Sequence, residues 1–90
     1  MRRSAETALV VRAVKRLRRD HDPDAAAVLL DRYARRFPNG ILHEETQALR
    51  VEAAAQRDPR RARALADEYL ERYPNGRFRA DVTRFAAGAP

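Results

Sequence analysis

Residues 23–40 read PDAAAVLLDRYARRFPNG, and residues 59–76 read PRRARALADEYLERYPNG. Laid over one another, 9 of the 18 positions are identical: Pro23/Pro59, Ala26/Ala62, Leu29/Leu65, Asp31/Asp67, Tyr33/Tyr69, Arg36/Arg72, Pro38/Pro74, Asn39/Asn75 and Gly40/Gly76. Phe37 faces Tyr73, and just beyond the segments Leu42 faces Phe78. A fixed spacing of 36 residues in a 90-residue chain marks a repeat, and repeats decide architecture before anything else does.

Each copy carries its own folding instructions. Proline in the first helical turn has no N–H to leave unsatisfied, and Asp22 or Asp58 just before it supplies a capping oxygen. Ala26, Leu29, Leu30, Tyr33 and Phe37 fall at helical spacing, as do Ala62, Leu65, Ala66, Tyr69 and Tyr73. Pro38 and Pro74 push the preceding residue out of the helical region, so each helix ends there. Asn-Gly then supplies a turn, in which glycine is expected to take a positive φ.

Working outward predicts three more helices. One covers about Ser4 to Arg19 with Leu9, Val10, Ala13, Val14 and Leu17 on one face. Another runs from about Leu42 to Gln56 and carries Leu42, Leu49 and Ala53; the last covers about Arg77 to Ala86 with the stripe Phe78, Val82, Phe85. No stretch alternates with period two, so no strand is predicted. The expected fold is all-α: five antiparallel helices with short loops, forming a short right-handed α–α solenoid.

These residues resemble the tetratricopeptide repeat over roughly residues 5–88. Ala26 and Ala62 stand where that family has a small residue on the second helix, and Pro38 and Pro74 close the repeat twelve residues later. Leu49 matches the family's leucine on the first helix. The Phe/Tyr-Pro-Asn-Gly closure is similar to repeat domains of bacterial cell-envelope lipoproteins and envelope-assembly coordinators, and of proteins from predatory and gliding bacteria. The family's first-helix aromatic and glycine pairs are missing, and the repeat is two residues longer than the usual 34. The resemblance implies one domain: repeat one over 5–40, repeat two over 41–76, and a capping helix over 77–87.

Charge is distributed unevenly. The net charge of +6 lies entirely in the first 19 residues, where seven basic side chains meet only Glu6, while twelve basic and twelve acidic side chains balance thereafter. Alanine and arginine supply 18 residues each, and both favour helix. There is no cysteine, so neither a disulfide nor a cysteine metal site is available. The longest apolar run near the start is Ala8 to Val11, far short of the ~20 residues of a membrane span. The expected location is the cytoplasm, or the periplasm or a membrane surface if an anchor precedes the chain.

Convergent catalytic chemistry is not expected. His43-Glu44-Glu45 begins like a zinc-protease helix, but Gln47 stands where the second histidine belongs. His43 therefore reads as a solvated helix-end residue, and Glu44 and Glu45 as first-turn carboxylates complementing the helix dipole. Glycine-rich phosphate loops are lacking, and Ser4 is the only serine. No catalytic, cofactor or metal residues are assigned, and Tyr33 and Tyr69 read as core spacers on the apolar stripe. The chain is expected to be a non-catalytic scaffold for a peptide or helix of another protein, with self-association covering the ends of a short repeat stack. Candidate partner-binding residues are Arg12, Lys15, Arg16 and Arg19 on the first helix, with Glu45 and Arg50 on the third. The alternative is nucleic-acid or anionic-membrane binding through that same basic first helix, whose four cations fall at i, i+3, i+4 and i+7.

Overall fold

In the computed structural model, which describes residues 4–88, the two proline-led segments become helices of identical length, α2 (Pro23–Arg36) and α4 (Pro59–Arg72). Asp22 accepts the Ala25 N–H at 3.0 Å; Asp58 accepts those of Arg60 and Arg61. Both helices end in the same backbone conformation, φ −131° and ψ 61° at Phe37, φ −128° and ψ 67° at Tyr73. Preceding them are α1 (Ala5–Val14), which continues into a π-helical turn (Lys15–Arg19), and α3 (His43–Ala55). The shorter α5 (Arg79–Ala86) follows. Every regular element among the described residues is helical, and no helix is long and apolar enough to cross a membrane.

A recurrent polar node ties each hairpin together. The Tyr33 hydroxyl donates to Glu6 Oε1 at 2.6 Å, and the same oxygen accepts the Leu42 N–H at 3.0 Å. In the second hairpin the Tyr69 hydroxyl donates to Glu44 Oε2 at 2.8 Å, which also accepts the Arg77 N–H, while the tyrosine oxygen accepts the Phe78 N–H. The start of the first helix, the end of the second and the turn leading onward are thus fixed at one point. Both tyrosines are essentially fully buried, Tyr33 1% and Tyr69 0% exposed, and each has its hydroxyl satisfied, as burial requires.

Gly40 and Gly76 sit in these nodes for a reason the sequence did not suggest. Neither has a positive φ; among the described residues only Gly88 and His21 do. A Cβ at Gly40 would run into Glu6 Oε1 and the Tyr33 hydroxyl, and one at Gly76 into the Tyr69 hydroxyl and Glu44 Oε2. Glycine is required here by space.

The nodes also expose an asymmetry between the hairpins. Glu6 precedes Pro23 by 17 residues, whereas Glu44 precedes Pro59 by 15. The two extra residues of the first hairpin are taken up by the π turn, where the Asp20 N–H bonds Lys15 O and the Asp22 N–H reaches back to Arg16 O. His21, with φ 51°, completes the link to α2.

The apolar residues form two clusters. Leu9, Ala13 and Leu17 pack with Leu29, Leu30 and Tyr33 of α2, and with Leu49 and Ala53 of α3. Ala48, Val51 and Ala54 of α3 pack with Ala62, Leu65 and Tyr69 of α4 and Val82 of α5. Since α3 serves both clusters, it is buried on two sides, and its sequence shows no single stripe. Arg50 pairs with Asp31 at 3.2 Å, and Arg57 just past the end of α3 pairs with Asp24, as the antiparallel order of α2 and α3 allows.

Candidate functional site

Between α1 and α5 an open groove of about 400 Å³ runs over α3. Val10 and Val14 form one wall, Phe78 and Phe85 the other, and Ala48 and Leu49 the floor. The first helix of each hairpin and α5 therefore line one surface, while α2 and α4 lie behind it. The nodes position this groove, because Glu6 anchors the turn at which α3 begins and Glu44 anchors the turn that leads to α5.

Charged side chains along the groove are paired within the protein. Arg18 holds Glu52 through two N–H donors at 2.9 and 3.3 Å. Arg84 bonds Asp81 at 3.0 Å, and Arg77 bonds Glu45 at 2.7 Å. The guanidinium groups of Arg77 and Arg84 also lie over Phe78 and Phe85, 5.2 and 5.3 Å from the ring centroids. The groove offers apolar walls with a rim whose charges are already compensated, which suits apolar side chains more than an ionic ligand.

The sequence-derived candidates do not converge. Glu45 lines the groove. Arg50 lies on the other side of α3, between α2 and α4, where it is occupied by Asp31. Arg12, Lys15, Arg16 and Arg19 are exposed on α1 and its π turn outside the groove, and Arg16 and Arg19 share Asp20. Sequence reasoning passed over Arg18, Ala48, Phe78 and Phe85 as site residues. The translation from Leu42 to Phe78 was visible, but the direction in which Phe78 faces was not.

His43 is the other correction: it is buried, not solvated. Nδ1 lies 2.7 Å from the Tyr73 hydroxyl, and Nε2 lies 3.0 Å from Arg72 Nη1. Arginine can only donate, so Nε2 accepts and Nδ1–H donates to the tyrosine oxygen. Burial first, then the Arg72 and Arg50 charges, hold the imidazole below its ordinary value of 6.5. Nearby, Gln47 Oε1 is the one buried side-chain polar atom among the described residues without a partner. Among those residues no three histidine, cysteine or acidic side chains are grouped to hold a metal ion.

These shifts dictate how stability depends on pH. For His43 the folded protein binds its proton less readily than the unfolded chain does. Its contribution is complete above pH 6.5 and is lost as pH falls from there through the lower folded value. Glu6, held below 4.5 chiefly by the Tyr33 hydroxyl and then by the Leu42 N–H, contributes above pH 4.5 and loses that contribution only on further acidification. Two steps of acid destabilisation are therefore expected in urea titrations. His43→Gln should abolish the upper step and leave the lower; an unchanged upper step would assign it to another group.

The chain matches no family model, no curated protein and no solved structure.

Proposed function

We propose that the protein is a non-catalytic, tetratricopeptide-type scaffold that takes a peptide or helix of another protein into the groove between α1 and α5. The observation carrying this reading is the groove itself, with Val10 and Val14 facing Phe78 and Phe85 across a floor of Ala48 and Leu49. In a right-handed α–α solenoid the first helix of each pair lines the inner surface, and α1, α3 and α5 are the helices that meet here. Two proline-led hairpins with matching caps and matching Glu–Tyr nodes support the repeat reading.

The partner segment is apolar on the face it presents. Burying two bulky side chains contributes roughly 1.5–3 kcal/mol each, and the rim pairs exclude unpaired charge without attracting a particular sign. Protein binding is favoured over phosphate binding because the groove has apolar walls and a rim of paired charges, while the first-helix cations lie outside it.

Peptides carrying two large apolar residues one helical turn apart test the reading by chemical-shift mapping on isotope-labelled protein. Perturbations are expected at Val10, Val14, Ala48, Leu49, Phe78 and Phe85, and not at Val28 on the exposed side of α2. Val14→Arg, which places a charge in the groove wall, should remove binding while keeping a cooperative melt. Shifts confined to Arg12 and Lys15, or binding unaffected in Val14→Arg, would move the site away from the groove.

A further inference from the structure

We infer that the protein assembles end to end, the free flank of α1 in one copy seating against the α4–α5 end of the next. This surface is separate from the groove, and the inference stands or falls independently of peptide binding.

The acceptor is an open hollow of about 290 Å³ whose apolar lining includes Ala66 and Leu70 of α4 and Ala86 of α5, with Asp67 and Arg63 as its charged lining residues. Moving back one repeat of 36 residues gives Leu30, Ala34, Arg50 and Asp31. In that earlier position the space beside α2 and α3 is filled by α4, whose Arg61 and Leu65 face Asp31 and Arg50 across a residual gap. The hollow at the end of the molecule is therefore the same helix seat without its helix.

Asp67 marks where the occupant supplies a cation. Asp31 has Arg50 as its partner, but Ala86 stands at the equivalent position beside Asp67. Asp67, Glu68 and Glu71 are exposed and pair with no cation among the described residues. At the opposite end of the molecule, α1 has the reverse arrangement. Ala8 and Val11, one turn apart and half-buried, belong to neither core cluster nor the groove. They are flanked by Arg12 and Lys15, which pair with no carboxylate among the described residues. An apolar pair bordered by free cations meets an apolar hollow lined by the free carboxylate of Asp67 beside Arg63, on a helix that also exposes Glu68 and Glu71, and the two lie on different ends of one chain. Contact between unlike surfaces of identical copies leaves one free surface at each end of a pair, so assembly continues past two chains, into an open chain or, where the rotation closes, a ring. Ionic attraction between exposed groups makes the assembly weaken as salt is raised.

Light scattering coupled to chromatography tests this on the full chain. The mass should rise with concentration past two chains, and fall as salt is added. Leu70→Glu blocks one end and Val11→Glu the other; each alone should run as one chain, and an equimolar mixture should form a two-chain species and nothing larger. Circular dichroism checks that both variants fold. If either does not, Asp67→Arg and Arg12→Glu, both at exposed positions, replace them: each alone should run as one chain, and their mixture, in which both reversed and unreversed pairs are attractive, should again grow past two chains. The groove variant Val14→Arg should assemble like the parent. A parent that stays at one chain throughout, a plateau at two chains, or either single variant assembling alone overturns the inference.

Discussion

Replacing Tyr69 with alanine is expected to destabilise the protein by about 3–5 kcal/mol, the range for deleting a large buried aromatic. The ring is 0% exposed and packs at the centre of the second cluster, 5.3 Å from Tyr73 between ring centroids. Its removal also takes the hydroxyl from Glu44 and leaves the Phe78 N–H without its acceptor. For a small domain each kcal/mol is worth roughly 4–8 °C of melting temperature, so the effect is large in a thermal scan. Tyr69→Phe separates the contributions: the ring stays, two hydrogen bonds go, and about 1–3 kcal/mol is expected for the polar groups left unsatisfied. Alkaline titration reports the same environment. Burial, and then Glu44, push the Tyr69 phenol up to about 12, so its contribution is present below pH 10 and is lost as pH rises toward 12. A Tyr69→Ala protein that melts with the parent would remove the node from the account of the fold.

Gly76→Ala should destabilise by about 1–3 kcal/mol, the range for forcing a methyl group into a packed site. The sign is informative. Where the backbone permits it, alanine in place of glycine stabilises by about 0.4–1 kcal/mol through the unfolded chain, and Gly76 has no positive φ to forbid it. The obstacle is the Tyr69 hydroxyl together with Glu44 Oε2. It follows that Gly76→Ala combined with Tyr69→Phe should cost less than the two single changes added together, because the atom in the way has gone. Gly88 is the counter-case: its φ is 74° and nothing lies within 4 Å of an added Cβ, so any cost there comes from backbone strain and couples to no neighbour. Additive behaviour of the Gly76 and Tyr69 changes, measured by urea denaturation, would show that the methyl group and hydroxyl do not meet.

Fixing the nodes bears on the groove because they set where α3 and α5 begin, and those helices supply its floor and one wall. On the function proposed above, a variant that loosens the second node is expected to weaken peptide binding through the placement of Phe78, whose N–H is held by the Tyr69 oxygen.

Much of the fold was legible because its signals are local. Asp-Pro starts, the Ala–Leu–Tyr spacing and the Pro-Asn-Gly closures act within a few residues of themselves, and they marked where α2 and α4 start and stop. The first helix was also legible as a helix, but its π turn was not, since two extra residues show only against the second hairpin. The two-sided burial of α3 left Ala48, Val51 and Ala54 unread, because small and β-branched residues on both sides of a central helix erase the stripe on which periodicity depends.

By itself, then, the sequence determined the helices, their ends to within about two residues apart from the π turn, and the repeat, all consequences of capping, proline sterics and apolar spacing. Only the tertiary structure decided which flank of each helix faces the groove. That choice depends on how helices rotate as they pack, which brings Arg18 and Phe85 to the groove, turns Arg50 toward Asp31, and buries His43 against Tyr73 and Arg72. It also gave Gly40 and Gly76 their role, since the atoms that leave no room for a side chain come from residues as many as 34 positions away in the chain.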